Sequence, residues 1–435
     1  MTNIPANRKV ETRSTLRLVR GAGLILLLLF LIWTAGRSGY ASLLSTYAAR
    51  TSHLSAAAAA VSFSPRDAQN HLIRGGVLQA KGEYRNAVAQ YERAVSLRPD
   101  DYTLWLTLAH ARELDGDGAG ALAAATYAVS LAPHYAKPHW QLGNLLLRAG
   151  RAESGFGELR AASERNPALL PGFIDLAWRL SEGKVELVLR ATDPRSPKTY
   201  RALAGYFRKR GKTAEAVEMF KAAGSDAGSE IASERRAFLT ELLGAKQFAH
   251  ARSLWVIAHP TGPYGPSMFD PGFEQESDLD EPGFGWRAGN HADEVSLTLD
   301  RSEPAGGQFS LLVSFNGASE PSQPVVSQLV SVNPRARYQL QFAVRTEEIV
   351  SAGLPAVIVA DAASVEVLGQ SGALPQTSGG WRNYTIDFTT TENAEAIQIK
   401  LQRGSCGSPC PIFGRLWLDN FSLRNAELRS LQPNQ

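Results

Sequence analysis

Residues able to do chemistry are few and scattered along the 435-residue chain. Cys406 and Cys410, the only cysteines, stand in Ser-Cys-Gly-Ser-Pro-Cys-Pro. That spacing suits a disulfide clip across a tight loop in an oxidising compartment, or half of a metal site in a reducing one. No second cysteine pair or nearby histidine completes a metal site. Trp286, Trp381 and Trp417 offer flat apolar faces of the kind that stack on sugar rings, and core packing is the competing use for each. The motifs His-Glu-x-x-His, Gly-x-Ser-x-Gly and Gly-x-x-x-x-Gly-Lys-Ser/Thr are missing. Gly116, Gly118 and Gly120 imitate a nucleotide loop, yet they follow no strand and read as turn residues. The acid-rich stretch from Glu274 to Glu281 reads as a solvated loop, and His134 and His139 fall across a helix boundary. These features predict a non-enzymatic protein with no cofactor of its own.

Forty-five basic and 42 acidic side chains leave a net charge of +3, which gives no footprint for nucleic acid. The N-terminus is different. Arg8, Lys9, Arg13, Arg17 and Arg20 precede an apolar run from Gly21 to Ala35. A basic flank is retained on the cytoplasmic side, so the remainder of the chain crosses the bilayer. Counted from Leu16, with Arg17 and Arg20 snorkelling and Trp33 at the far interface, the run is long enough to span. This predicts an uncleaved single-pass anchor in the inner membrane with the bulk of the chain periplasmic. A cleaved signal peptide is the competing reading.

Pro99, Pro133 and Pro167 are 34 residues apart, and Gly82, Gly116 and Gly150 keep the same step, as do Ala94, Ala128 and Ala162. A fixed period of this length means one helical hairpin copied in tandem. The small residues let paired helices touch, and each proline opens the next copy. At these positions the chain resembles the tetratricopeptide repeat family, over 65–260, with about five or six helix pairs and degenerate copies after Pro167. The open face of the first helix of each pair is predicted to carry Leu72, Gln79, Leu106, His110, Trp140, Asn144 and Leu147, with Arg201, Arg208 and Lys209 at a basic end. Apolar anchors beside amides and cations suit a polypeptide partner. The alternative is a solvated groove with Trp140 packed on a neighbouring helix.

Beyond the linker Thr261–Pro266, apolar residues alternate with period two: Val295, Leu297 and Leu299, then Leu311, Val313 and Phe315, then Tyr338, Leu340, Phe342 and Val344, and further sets to Trp417. Strands without intervening helices predict an antiparallel sandwich. Asp270-Pro-Gly-Phe-Glu274, Trp286, Gly307-Gln-Phe-Ser-Leu311, Trp381-Arg-Asn-Tyr384 and Leu416-Trp-Leu-Asp-Asn-Phe-Ser-Leu423 together resemble the galactose-binding-like jelly rolls, which include many carbohydrate-binding modules. That resemblance implies a structural calcium held by Glu274 and Asp419, and a glycan site among Trp286, Trp381 and Trp417.

The resulting map is a basic tail at 1–15, a transmembrane helix at 16–36, a juxtamembrane helix or tether at 37–64, a helical solenoid at 65–260, a β-sandwich at 261–425 and a tail at 426–435. The function expected of it is a membrane-tethered scaffold that holds a protein partner, in envelope or exopolysaccharide assembly. A glycan-binding accessory protein for a polysaccharide enzyme is the alternative.

Overall fold

A computed structural model describes residues 8–224, 229–259, 268–275, 278–290, 294–318, 320–407 and 409–426. The linker expected at 261–266, the first seven residues and nearly all of the expected C-terminal tail lie outside them. The chain divides into two compact units, Met1–Pro194 and Arg195–Gln435. The composition change at 260–261 therefore lies inside the second unit.

In the first unit, helix α1 runs unbroken over Arg8–Thr51, about 66 Å at 1.5 Å per residue. Within it, Ala22–Thr51 is long and apolar enough to cross a membrane. Every side chain from Leu24 to Trp33 is more than half exposed, as expected for a helix apolar all round. Beyond that run, Ala41, Ser45 and Ala48 become buried against α2 (Leu54–Phe63) and α3 (Ala68–Ala80). The Ser45 hydroxyl meets Asn70 Oδ1 at 2.5 Å, and Arg37 donates to the Phe63 and Ser62 carbonyls. Of the helix or tether expected at 37–64, the helix is what forms.

Four hairpins follow: α3 with α4 (Tyr84–Leu97), α5 (Tyr102–Leu114) with α6 (Gly118–Leu131), α7 (Ala136–Arg148) with α8 (Ala152–Arg165), and α9 (Leu170–Leu180) with α10 (Val185–Thr192). Gly82, Gly116 and Gly150 sit between paired helices at φ of +79°, +87° and +74°, a conformation that side chains with a Cβ resist. A Cβ on Gly75 would lie 2.6 Å from the Tyr91 ring, so the glycine sets how closely α3 and α4 approach. Asp67 and Asp101 cap α3 and α5 by accepting from Gln69 and Thr103 backbone N–H groups.

The second unit contains α11 (Pro197–Lys209), α12 (Thr213–Ala223), α13 (Ser229–Gly244) and α14 (Phe248–Trp255), followed by ten strands. The strands are β1 (Trp286–Ala288), β2 (Val295–Asp300), β3 (Ser310–Ala318), β4 (Val326–Ser331), β5 (Arg337–Val350), β6 (Pro355–Asp361), β7 (Val367–Gln370), β8 (Arg382–Thr389), β9 (Ala396–Arg403) and β10 (Pro411–Asn425). They form two five-stranded sheets, ordered β1-β4-β9-β6-β7 and β2-β3-β10-β5-β8, antiparallel throughout. The predicted alternation holds: Tyr338, Leu340, Phe342 and Val344 of β5 point into one core with Trp286, Leu416, Leu418 and Phe421. Helix α14 packs on this domain through Trp255, whose ring meets Phe269 at 5.0 Å and Phe284 at 6.0 Å. Lys246 donates to the Ala363 carbonyl and Glu395 accepts from the Ala249 N–H.

Candidate functional site

On the helical hairpins the structure sorts the expected docking residues into two groups. Leu106 is 2% exposed, Leu72 packs against the buried cluster of the first hairpins, and Leu147 leans over Gly155 of α8. Leu106 belongs to the packing between helices and not to an open face, which corrects the expectation for it, whereas Leu72 and Leu147 stay half-buried. The Gln79 side chain accepts from the Tyr91 hydroxyl at 3.1 Å, and burial pushes the Tyr91 phenol up to about 12. Trp140 is half-buried, with its ring edge 3.8 Å from where a Cβ on Gly172 of α9 would stand. His110 is exposed, and Asn144 one repeat later is half-buried. Position 113 was missed: Glu113 holds Arg148 of α7 at 2.5 Å and lies 3.7 Å from His110. The open positions of α5 and α7 thus present a charged and polar strip. In the second unit Arg208 pairs with Glu241 at 2.9 Å and lies over the Phe238 ring, while Arg201 is half-buried and Lys209 exposed.

In the sandwich, two of the three tryptophans are removed from sugar stacking. Trp286 is 2% exposed, packed at a tilt against Phe273 and Phe421 with each centroid 4.9 Å away, and its indole N–H donates to the Asp270 carbonyl. Trp417 is on the outer face of its sheet, yet only 3% exposed. The Arg345 guanidinium covers it at 4.1 Å, Arg415 lies at 5.6 Å, and the indole N–H donates to Asp300 at 2.6 Å. Trp381 alone is half-exposed, with its N–H on the Glu303 carbonyl. Sequence order could not show that Arg345, 72 residues away from Trp417, would cap it.

Glu274 and Asp419 do converge on one loop cluster. Glu274 accepts from the Gln308 and Phe309 N–H groups, and Asp419 accepts from those of Ala305, Gly306 and Asn420. Asp270, close by, accepts from Glu274 and Gln275 N–H groups. Burial raises the Asp419 and Asp270 carboxyls above their ordinary range, opposed by these backbone donors. The carboxylates therefore tie two loops, 270–275 and 305–309, to strand β10 by accepting amides. Calcium takes six to eight oxygens, and among the described residues no three His, Cys, Asp or Glu side chains are arranged to hold a metal.

Cys406 and Cys410 are joined as a disulfide, with Cα atoms 5.6 Å apart. Buried Arg403 donates to the Cys410 and Pro411 carbonyls and so pins the small loop to β9.

A feature absent from the sequence reading is a cleft of about 630 Å³ on the outer face of β10, β5 and β8. The loops at Pro271–Gly272 and Gly306–Gly307 wall it. Pairing register sets Ser422, Gln341 and Thr385 side by side across its floor, with Asn383 on β8 and Arg424 on β10 flanking that rung. The only signal for it was the polar half of the alternation in these strands.

No protein-family model matches the chain. Over 105 residues it is 35% identical to the TPR repeat-containing thioredoxin TTL4 of Arabidopsis thaliana, a match that spans 24% of this chain and 15% of that protein. Among solved structures it is similar to YrrB, a TPR protein with an unusual peptide-binding site, at 19% identity over 42% of this chain and 90% of that one, TM-score 0.31. It is likewise similar to MamA from Desulfovibrio magneticus RS-1, at 15% identity over 46% and 96%, TM-score 0.29. A CBM4 structure is matched at 11% identity over 37% and 99%, TM-score 0.28. The class is set by the fold: tetratricopeptide-like helical hairpins followed by an antiparallel β-sandwich.

Proposed function

We propose that this chain is a non-catalytic scaffold, tethered by the apolar segment of α1 with its N-terminus cytoplasmic and its bulk periplasmic. Its helical hairpins hold a protein partner, and its sandwich engages a glycan during envelope or exopolysaccharide assembly. The observation that carries the docking role is the strip of His110, Glu113, Arg148 and Asn144 on adjacent first helices, which leaves polar and charged groups on the open side of closely packed hairpins. Such surfaces recognise peptides through charge complementarity and a few anchors. The basic flank before Leu24–Trp33 supports the orientation of the tether.

Crosslinking in intact membranes tests this reading. A membrane partner that co-purifies with the wild type and is lost in Trp140→Ala or Arg208→Ala supports it. A partner list unchanged by both substitutions contradicts it. The second reading, an accessory protein working chiefly through its glycan site, is favoured by one observation: the polar cleft on β10, β5 and β8.

A further inference from the structure

We propose that the cleft on the outer face of β10, β5 and β8 is a binding site for a neutral oligosaccharide chain. The proposal rests on the glycan reading of the sandwich and gives it a place and a ligand class. The tryptophans suggested by sequence are a different set.

The Gln341 amide of the floor is held in a fixed orientation by two residues beside the cleft. Asp387 accepts from the Gln339 amide at 2.9 Å, and the Gln339 oxygen accepts from the Gln341 amide at 3.0 Å. One carboxylate thus orients two amides head to tail and leaves the Gln341 oxygen as an acceptor without a protein donor among the described residues. On either side of Gln341 in the same rung stand the Ser422 and Thr385 hydroxyls. Neighbouring side chains in a rung are separated by about 4.5–5.5 Å at Cβ, on the scale of one pyranose ring. Asn383, Thr385, Ser422 and Arg424 make no side-chain hydrogen bond or ion pair among the described residues.

The chemistry selects the ligand. A sugar hydroxyl donates and accepts at once, and this floor offers both functions: an amide, two hydroxyls, an oriented carbonyl and a guanidinium. An anionic ligand needs a surplus of cations, but Arg424 is matched in the lining by Glu274. A peptide needs apolar pockets for its anchors, whereas Phe342 and Phe421 are 2% and 4% exposed and turned into the core. The volume is within the roughly 300–1,000 Å³ of small-ligand clefts.

The test is calorimetric titration of the full chain in phosphatidylcholine nanodiscs with cellohexaose, xylohexaose and mannohexaose, and with an oligogalacturonate as the acidic probe. The expected result is binding of at least one neutral oligosaccharide, weakened tenfold or more in Thr385→Val and in Asn383→Ala and unchanged in Lys400→Ala on the other sheet. Thr385→Val keeps shape and removes only the hydroxyl, and thermal melting checks that each variant is folded. Binding unaffected by Thr385→Val and Asn383→Ala but lost in Trp381→Ala would leave the glycan reading standing and overturn this site. Binding of the oligogalacturonate alone would overturn the neutral assignment. Failure of every saccharide would overturn both.

Discussion

Trp105 donates its indole N–H to the carbonyl of Pro99, six residues earlier, at 2.7 Å. His71 and His139 occupy the same position in the flanking copies and place a ring nitrogen on the Pro65 and Pro133 carbonyls at 3.0 and 2.9 Å. The repeated proline therefore does more than end a helix: its carbonyl is tied to the helix that follows. In the fourth copy the position is Phe173, 1% exposed and with no N–H on its ring, so a phenyl ring fits there. Trp105→Phe should lower stability by about 1 kcal/mol, the worth of one such hydrogen bond. Urea unfolding followed by circular dichroism checks this.

The last two hairpins and the sandwich should behave as one folding unit. Arg252 lies over both Trp255 and Phe284, at 5.0 and 5.3 Å, and a Cβ on Gly283 would collide with the Trp255 ring. A chain beginning at residue 195 should melt cooperatively. One beginning at 261 strips Trp255 from Phe269 and Phe284 and should lose about 1.5–3 kcal/mol for each large side chain uncovered. Its melting temperature and dye binding report the difference, and equal melting of the two chains would contradict it.

The loop clasp should respond to pH in a direction opposite to the Asp300 contact. Asp419 holds its proton more tightly folded than unfolded, because burial raises its carboxyl. The folded loops therefore gain stability as pH falls through that raised value, and carry the cost of the charge above it. Asp300 is held below its ordinary range by the Ser302 hydroxyl and N–H and by the Trp417 indole. Its contribution is present above the unfolded value near 3.8 and is lost as pH falls through the folded one. Hydrogen exchange in 305–309, corrected for intrinsic rates, should slow on mild acidification in the wild type and lose that response in Asp419→Asn.

Periodicity made much of this legible. The 34-residue step located the hairpins because a Gly or Ala is needed wherever two helices touch, as at Gly75 against Tyr91. Alternation located the strands for the same kind of reason, since Leu340 and Ile386 must share the core side of paired strands. What sequence spacing could not show is which face a neighbouring element covers. Leu106 reads as surface within α5 and is buried. Trp417 reads as a stacking platform until Arg345 of β5 is laid over it. The rung Ser422–Gln341–Thr385 joins residues far apart in the chain through a register that one strand alone does not specify.

The docking role of the helical hairpins is tested most directly by a photo-crosslinking residue placed at His110 in intact membranes, compared with one at exposed Tyr127 on α6. A discrete protein adduct from position 110, absent from position 127 and lost when Trp140→Ala is added, is the result predicted. The same adducts from both positions, or none from position 110, would contradict it.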